Sequence, residues 1–356
     1  MIITDPGDPV DRILSNEARN RLASVRGAIV VVDDESGVLT HELSQLVGPE
    51  RVRRFHDSLL AEREATRYLH ERAADLEPAT ALDAGLLAGA GLVVMRLPKS
   101  LAALDETAAA VAAYAAPDVT LLAGGRTRHM THSMNDVLRR HFGSVAGSLG
   151  RQKCRVLFAE LPEGGEVSGP EQAEHPDLGL TLCAYGGVFG GTSVDLGSRL
   201  MLGQFDQLPR TARLAVDLGC GTGVLAVALT RVLPEVTVLA VDESRLAIRS
   251  TEATVAANDC GDRVRARLAD GLEGVEDGSV NVIVCNPPFH RGTAKDTATA
   301  YAMIDDAGRC LRPGGELWTV YNAHLPYLRA LRRAVGPTKV LVQDPRYVVS
   351  RSVRQA

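Results

Sequence analysis

At 356 residues, with 45% hydrophobic, 4% aromatic and 23% charged residues, the chain has a water-soluble globular composition and room for two domains. No apolar run approaches the ~18–20 residues needed to span a bilayer, and the acidic, proline-broken MIITDPGDPVDRIL is not a signal-peptide pattern. A net charge of −5 argues mildly against a nucleic-acid partner, and six scattered cysteines without a Cys-x-x-Cys pair point to reduced thiols in a cytoplasmic protein, with no zinc site and no disulfide framework.

In chain order, the N-terminal half alternates short apolar runs with helical patterns. LVVMRLPKS (92–100) precedes an Ala-rich helix, and DVTLLAGGRTRHM (118–130) follows it. From Gly124 to Val156 seven cations (Arg126, Arg128, Arg139, Arg140, Arg151, Lys153, Arg155) stand against Asp136 alone. Residues 156–198 then contain no Lys or Arg, and ELPEGGEVSGPEQAEHPDLG (160–179) is acidic, Gly/Pro-rich and aperiodic. A linker is expected over 161–180, between domains 1–160 and 181–356.

Beyond it, strands are expected at RLAVDL, VTVLAVD, VRARLAD, VNVIVCN, GELWTVYN and VLVQD, and helices at 223–233, 244–258, 296–311 and 324–335. This alternation predicts an α/β domain whose parallel sheet carries helices on both faces. From Pro326 to Ala356 seven cations again face one acid, Asp344. Two such segments in an acidic protein shift the expectation toward a polyanionic partner.

The two halves also resemble each other. LVVMRLPKS matches VIVCNPPFH in pattern, DVTLLAGGRTRHM matches GELWTVYNAHLPY, RRHFGSV matches LRRAVGPT, and RQKCRVLFA matches PRYVVSRSV, in the same order over some 70 residues. A tandem duplication of one Rossmann-like domain follows.

LAVDLGCGTGVLAVAL (214–229) predicts strand, tight turn and helix, with Gly219, Cys220, Gly221 and Gly223 in the turn. Glycines allow positive φ and close approach of a ligand to backbone, and the helix start offers free N–H groups. Val224 stands where the dinucleotide fingerprint requires glycine, which disfavours a dehydrogenase. Asp217 before the first glycine would repel a pyrophosphate but suits a ligand bearing an ammonium and a sulfonium. With Asp242 ending the next strand for ribose hydroxyls and Asp270 ending the third for an adenine amino group, this is the pattern of S-adenosylmethionine (SAM) methyltransferases.

The fourth strand ends in Asn286-Pro287-Pro288-Phe289-His290. An exocyclic amino group is a poor nucleophile because its lone pair is delocalised into the base. The Asn286 side-chain oxygen and the Pro287 carbonyl, both accepting from that amino group, would pull its nitrogen toward tetrahedral geometry. The prolines fix the carbonyl's direction, and Phe289 is placed to stack on a flipped-out base. Alignment suffices for methyl transfer, so no metal is expected. His290 either orients the base or phosphate or caps the turn; Tyr301, Trp318 and His324 read as packing residues.

With GGVFGGTSVDLGSRLMLGQF (186–205) upstream and LRPGGELWTVYNAHLPYLRALRRAVG downstream, NPPFH and VDLGCGTGVLAVAL resemble the bacterial ribosomal RNA guanine-N2 methyltransferases. The resemblance covers residues 90–356 well and the first 90 poorly. It implies two class I methyltransferase-like domains, of which only the C-terminal one binds SAM. The segment around Phe189 and Asp195 would pack over the cofactor, Asp217, Gly219, Gly221, Asp242 and Asp270 would hold it, and Asn286 with Phe289 would address guanine N2. VVVDDESGV (30–38) keeps one glycine of the turn and RLPKS replaces Asn-Pro-Pro-Phe, so the N-terminal copy should be degenerate and serve as an RNA-docking platform. RLPKSLAALDE, GRTRHMT and SLGRQKCRVLF lie closer to the large-subunit (23S) enzyme than to the small-subunit (16S) one.

The expected function is therefore methylation of a guanosine N2 in ribosomal RNA by a cytoplasmic monomer that acts away from membranes. An adenine-N6 or glutamine-N5 methyltransferase is the alternative within enzymes, since Asn-Pro-Pro-aromatic serves any planar amino group. A non-catalytic RNA-binding or assembly factor is the alternative outside them.

Overall fold

A computed structural model describes residues 8–287 and 294–355, without the side chains of 294–297. The chain divides into two compact units, Met1–Gly169 and Pro170–Ala356.

The first unit holds strands β1 (Ala28–Val32), β2 (Val52–Phe55), β3 (Pro78–Ala79), β4 (Ala90–Arg96), β5 (Thr120–Arg126), β6 (Phe142–Gly147) and β7 (Cys154–Pro162). Its helices are α1 (Pro9–Arg19), α2 (Val38–Val47), α3 (Leu59–His70), α4 (Ala84–Leu87), α5 (Leu101–Tyr114) and α6 (His132–Leu138). One seven-stranded sheet runs in the order β3-β2-β1-β4-β5-β7-β6, parallel as far as β5 and antiparallel at β7 and β6.

The second unit opens on a hairpin, β8 (Glu171–His175) with β9 (Leu180–Ala184), and helix α7 (Leu196–Leu202). Then come β10 (Leu214–Leu218), α8 (Val224–Val232), β11 (Thr237–Asp242), α9 (Arg245–Ala257), β12 (Val264–Leu268) and β13 (Val280–Cys285). The unit ends with α10 (Ala294–Cys310), β14 (Leu311–Asn322), α11 (Tyr327–Ala334), β15 (Thr338–Gln343) and β16 (Tyr347–Val353). Its seven-stranded sheet has the order β12-β11-β10-β13-β14-β16-β15, the same path and the same mixture of directions as the first.

Parallel central strands must bury both faces, and their sequences are accordingly near-continuous apolar runs. In β13, Val282 and Val284 enter one apolar cluster with Ala215, Leu225 and Trp318, whereas Ile283 and Cys285 enter another with Leu218, Ile304 and Tyr321. Successive residues thus feed cores on opposite sides of the sheet.

The segment expected as a linker is partly structured, because Glu171–His175 is a strand. Its partner β9 presents an outer edge held by helix α9 instead of a third strand. Asn258, Thr254 and Ser250 meet the backbone of Thr181, Cys183 and Tyr185 at 2.7–3.1 Å. Their spacing of four residues lays one polar stripe along the helix, and the stripe satisfies groups that would otherwise be buried unpaired.

The sequence reading of three aromatic or imidazole side chains as packing residues resolves differently for each. Trp318 is fully buried, Tyr301 packs on Tyr327 with ring centroids 5.5 Å apart, and His324 is exposed. All six cysteines are free and buried. Among the described residues, no group of three or more His, Cys, Asp or Glu is placed to hold a metal, and no helix is long and apolar enough to cross a membrane.

The start of β10 is tied to β13 by one buried side chain: Asn281 Oδ1 accepts from the N–H groups of Arg213 (3.1 Å) and Leu214 (2.9 Å). Asn281→Ala leaves two donors without a partner and should cost the second unit about 2 kcal/mol. Trp318 is the chain's single tryptophan, so its fluorescence reports this unit. Its urea midpoint should fall by about 1 M.

Candidate functional site

The strand order reverses between β10 and β13, and in open α/β sheets ligands bind beyond the carboxyl ends of the strands at such a point. Leu218 pairs with Cys285, so the chain leaves β10 at Gly219 and β13 at Asn286 side by side.

The turn after β10 is built by three glycines in the left-handed region: Gly219 (φ 78°), Gly221 (φ 55°) and Gly223 (φ 78°). They do different work. Among the described residues, a Cβ on Gly221 would meet nothing within 4 Å, and one on Gly219 would meet Met303 Cε at 3.3 Å. Both border open space that side chains would fill. Gly223 instead faces Thr251, whose Cγ2 would lie 2.9 Å from an added Cβ, so its role is close packing of α8 on α9. Cys220 turns its thiol into the core against the Thr251 hydroxyl (3.2 Å), and burial pushes that thiol well above its ordinary pKa. Its N–H and carbonyl are also occupied, by Val241 and Gly223, so what it supplies is turn geometry.

The acidic strand ends are not equivalent. Asp217 is buried; its Oδ2 accepts from Ala226 N at 2.9 Å, capping the first turn of α8, while its Oδ1 has no hydrogen-bond partner among the described residues. Burial, opposed by the Ala226 hydrogen bond and reinforced by Asp242, pushes its pKa up to about 7. Asp242 grips the turn: Oδ2 accepts from Gly221 N and Oδ1 from Ser244 N, both at 3.0 Å. Asp270 is exposed, two residues beyond β12.

Asn286 is half-buried and its side chain is gripped from below. Nδ2 donates to Asp195 Oδ2 (3.2 Å) and Oδ1 (3.3 Å) and to Ser198 Oγ (3.0 Å). Asp195 is also the N-cap of α7, accepting from Gly197 N and Ser198 N at 2.9 and 3.1 Å. Pro287 is buried, and Phe289 and His290 lie outside the described residues. Phe189, on the turn ahead of α7, is 70% exposed.

Ser198 was missed from sequence. The Asp-Leu-Gly-Ser order is a helix N-cap signature, but nothing local links it to a residue 88 positions away. Ion pairs also take up part of the basic segments. Arg126 faces Asp8 (3.7 Å), Arg139 faces Asp136 (3.0 Å), Arg140 faces Asp105 (3.5 Å), Arg333 faces Asp305 (3.2 Å) and Arg351 faces Glu316 (3.6 Å).

Comparison with known proteins covers both units. The Methyltransferase small domain model matches residues 179–351, and the RLMG N-terminal domain model matches residues 8–163. A Streptomyces coelicolor protein named ribosomal RNA large subunit methyltransferase G is 34% identical over 374 residues, covering 98% of this chain and 97% of its own. An Aeromonas salmonicida protein of the same name is 31% identical over 357 residues, covering 98% and 93%. In fold, the chain matches the T. thermophilus 16S rRNA N2 methyltransferase RsmC, solved in complex with AdoMet and guanosine, with a TM-score of 0.77 at 24% identity over 98% of this chain and 92% of the other. The chain therefore belongs to the ribosomal RNA large subunit methyltransferase G family.

Proposed function

We propose that the second unit transfers a methyl group from SAM to the exocyclic N2 amino group of a guanosine in large-subunit ribosomal RNA. The observation that carries this reading is the Asn286 amide, held by its nitrogen beside a glycine turn that is open to a ligand. Family membership supports the large-subunit RNA as substrate.

The residues of the turn fit SAM. Asp217 Oδ1, buried and without a partner among the described residues, suits its ammonium, Gly219 and Gly221 leave the space a backbone-hugging ligand needs, and Asp242 and Asp270 suit the ribose and adenine on successive strand ends. When bound, SAM supplies an electrophilic methyl on a sulfonium leaving group. The chain's own task is to prepare the nucleophile. Asn286 Oδ1 and the Pro287 carbonyl accept the two amino hydrogens, which localises the nitrogen lone pair. Pro287 has a fixed φ and no N–H of its own to compete.

The first unit reads as a second copy of this fold without the site. Asp33 (φ 55°) stands four residues before Gly37 as Gly219 stands before Gly223, and each donates its N–H to the neighbouring strand end at 2.9 Å. Asp34 then fills the turn with a buried carboxylate that accepts from Thr40 N (2.8 Å) and Gly37 N (3.1 Å). Arg96 occupies the place of Asn286, paired with Asp11 at 2.7 Å. Such a unit is suited to RNA docking through cations such as Arg128, Arg151 and Lys153.

Nucleoside mass spectrometry of both ribosomal RNAs from a strain lacking the gene should reveal the loss of one N2-methylguanosine from the large-subunit RNA. Unchanged profiles would sink the reading. Asn286→Ala should lower methyl transfer by about 100-fold or more while SAM still binds.

Titration of Asp217 sets a pH dependence. Its folded pKa is raised, from 3.8 to about 7, so its contribution to stability is present at acid pH and is lost as pH rises through about 7. SAM pairs with the ionised form. Calorimetry should therefore find SAM binding weakening toward a ten-fold loss per pH unit below about 7, and Asp217→Asn should weaken binding and flatten that slope.

A further inference from the structure

We infer that Asp195 and Ser198 are positioning residues that fix which end of the Asn286 amide faces the substrate. The inference rests on the function proposed above and specifies how its central side chain is aimed.

The two ends of a carboxamide are nearly the same shape and opposite in hydrogen-bonding sense. Aimed one way, Asn286 offers an acceptor to an amino group; flipped, it offers two N–H donors to a donor. Something must break that symmetry. An ionised carboxylate accepts only, so the two Asp195 oxygens at 3.2 and 3.3 Å admit Nδ2 and reject Oδ1. The Ser198 hydroxyl takes a further Nδ2 contact at 3.0 Å. With both N–H directions used on α7, the outward group is Oδ1.

The clamp is itself anchored. Asp195 Oδ1 is held by Gly197 N and Ser198 N, and Ser198 is buried. Gly197 sits so close to β14 and β16 that an added Cβ would lie 3.3 Å from Val320 Cγ2 and 3.5 Å from Tyr347 Cδ1. The acceptor's direction is thereby referred to the sheet.

The first unit supplies an internal control. There the N-cap of α1 is Asp8, and Asp11 lies three residues on, as Ser198 lies three beyond Asp195. Arg96, at the place of Asn286, donates Nε and Nη2 to Asp11 at 2.9 and 2.7 Å and lies 3.4 Å from Asp8. Tethering a helix start to a strand end is thus achieved without an amide. A guanidinium has no acceptor to present however it turns. What the second unit adds is a neutral group with one end bound and an acceptor left over.

The test compares the full-length wild type with D195N, N286D and the D195N/N286D double variant, acting on ribosomal RNA with SAM. Asparagine serves as an N-cap about as well as aspartate, so D195N keeps α7 while offering an amide to an amide. Its kcat should fall by about 10- to 100-fold, the effect of losing a charge-assisted hydrogen bond. KM for RNA and Kd for SAM should stay within about three-fold of wild type. N286D sets two carboxylates in contact and should be at least as impaired. The double variant restores one amide and one carboxylate with their roles exchanged, leaving an acceptor toward the substrate. Its kcat should exceed that of N286D by about ten-fold.

Wild-type kcat in D195N, a loss of SAM affinity with kcat intact, or a double variant no better than the single ones overturns the inference. Hydrogen exchange of the Asn286 side-chain amide gives a readout independent of turnover, slow in wild type and fast in D195N; equal rates overturn it as well. A wild type that makes no N2-methylguanosine refutes the proposed function instead, and the exchange measurement still decides the geometry.

Discussion

The parallel pairing of β10 with β11 on one side and β13 on the other is the constraint on which the site depends. Leu218 opposite Val241 and Cys285 sets three chain exits at one height along the sheet edge. The sheet order then lays out Asp270, Asp242, Asp217 and Asn286 one after another as the strands run β12, β11, β10, β13. On the proposed function, the base, sugar and amino-acid end of SAM would address these successive strands. A slip of one residue in β13 would turn Val282 and Val284 to the wrong core and carry Asn286 away from the turn, so burial on both faces enforces the chemistry.

The two units answer one local problem in opposite ways. In each, a helix N-terminus is joined to the end of the fourth strand by the residue following that strand's last core position. In the first unit the joint is an ion pair: the Arg96 guanidinium, half-buried, with the Asp11 carboxylate, and the adjoining turn is filled by Asp33 and Asp34. Burial pushes Asp33 up to about 6, a cost accepted where the carboxyl shapes the turn. In the second unit glycine replaces aspartate in the turn and a neutral amide replaces the guanidinium. On the proposed function, that leaves space and an acceptor for cofactor and substrate.

Much of this was legible in the sequence because it is local. Apolar runs carrying Asp217, Asp242 and Asn286 at or near their ends and the glycine spacing all lie within windows of about ten residues. The strands and helices expected after residue 213 agree with the observed ones to within a few residues at most boundaries. The rest was hidden because it is long-range. Glu171–His175 reads as acidic linker in QAEH; it is ordered by pairing with Leu180–Ala184, whose own edge depends on Asn258, Thr254 and Ser250, some 65–77 residues away. The two basic segments suggest a larger free charge than remains after their ion pairs with Asp8, Asp105, Asp305 and Glu316. Ser198 carries no signal of its own until the fold brings α7 beneath β13.

The acidic residues of the site were grouped by position alone, and their hydrogen bonds separate them by task. Asp242 spends its oxygens on Gly221 and Ser244 and so holds the glycine turn in shape. Asp195 spends its oxygens on the start of α7 and on Asn286 and so aims the amide. Asp217 is buried with one oxygen on a helix N–H and the other without a partner among the described residues. A carboxylate left in that state is unstable as an anion and is relieved either by a proton or by a cation of the right size. On the function proposed above, the SAM ammonium would supply that cation beside the Asn286 amide.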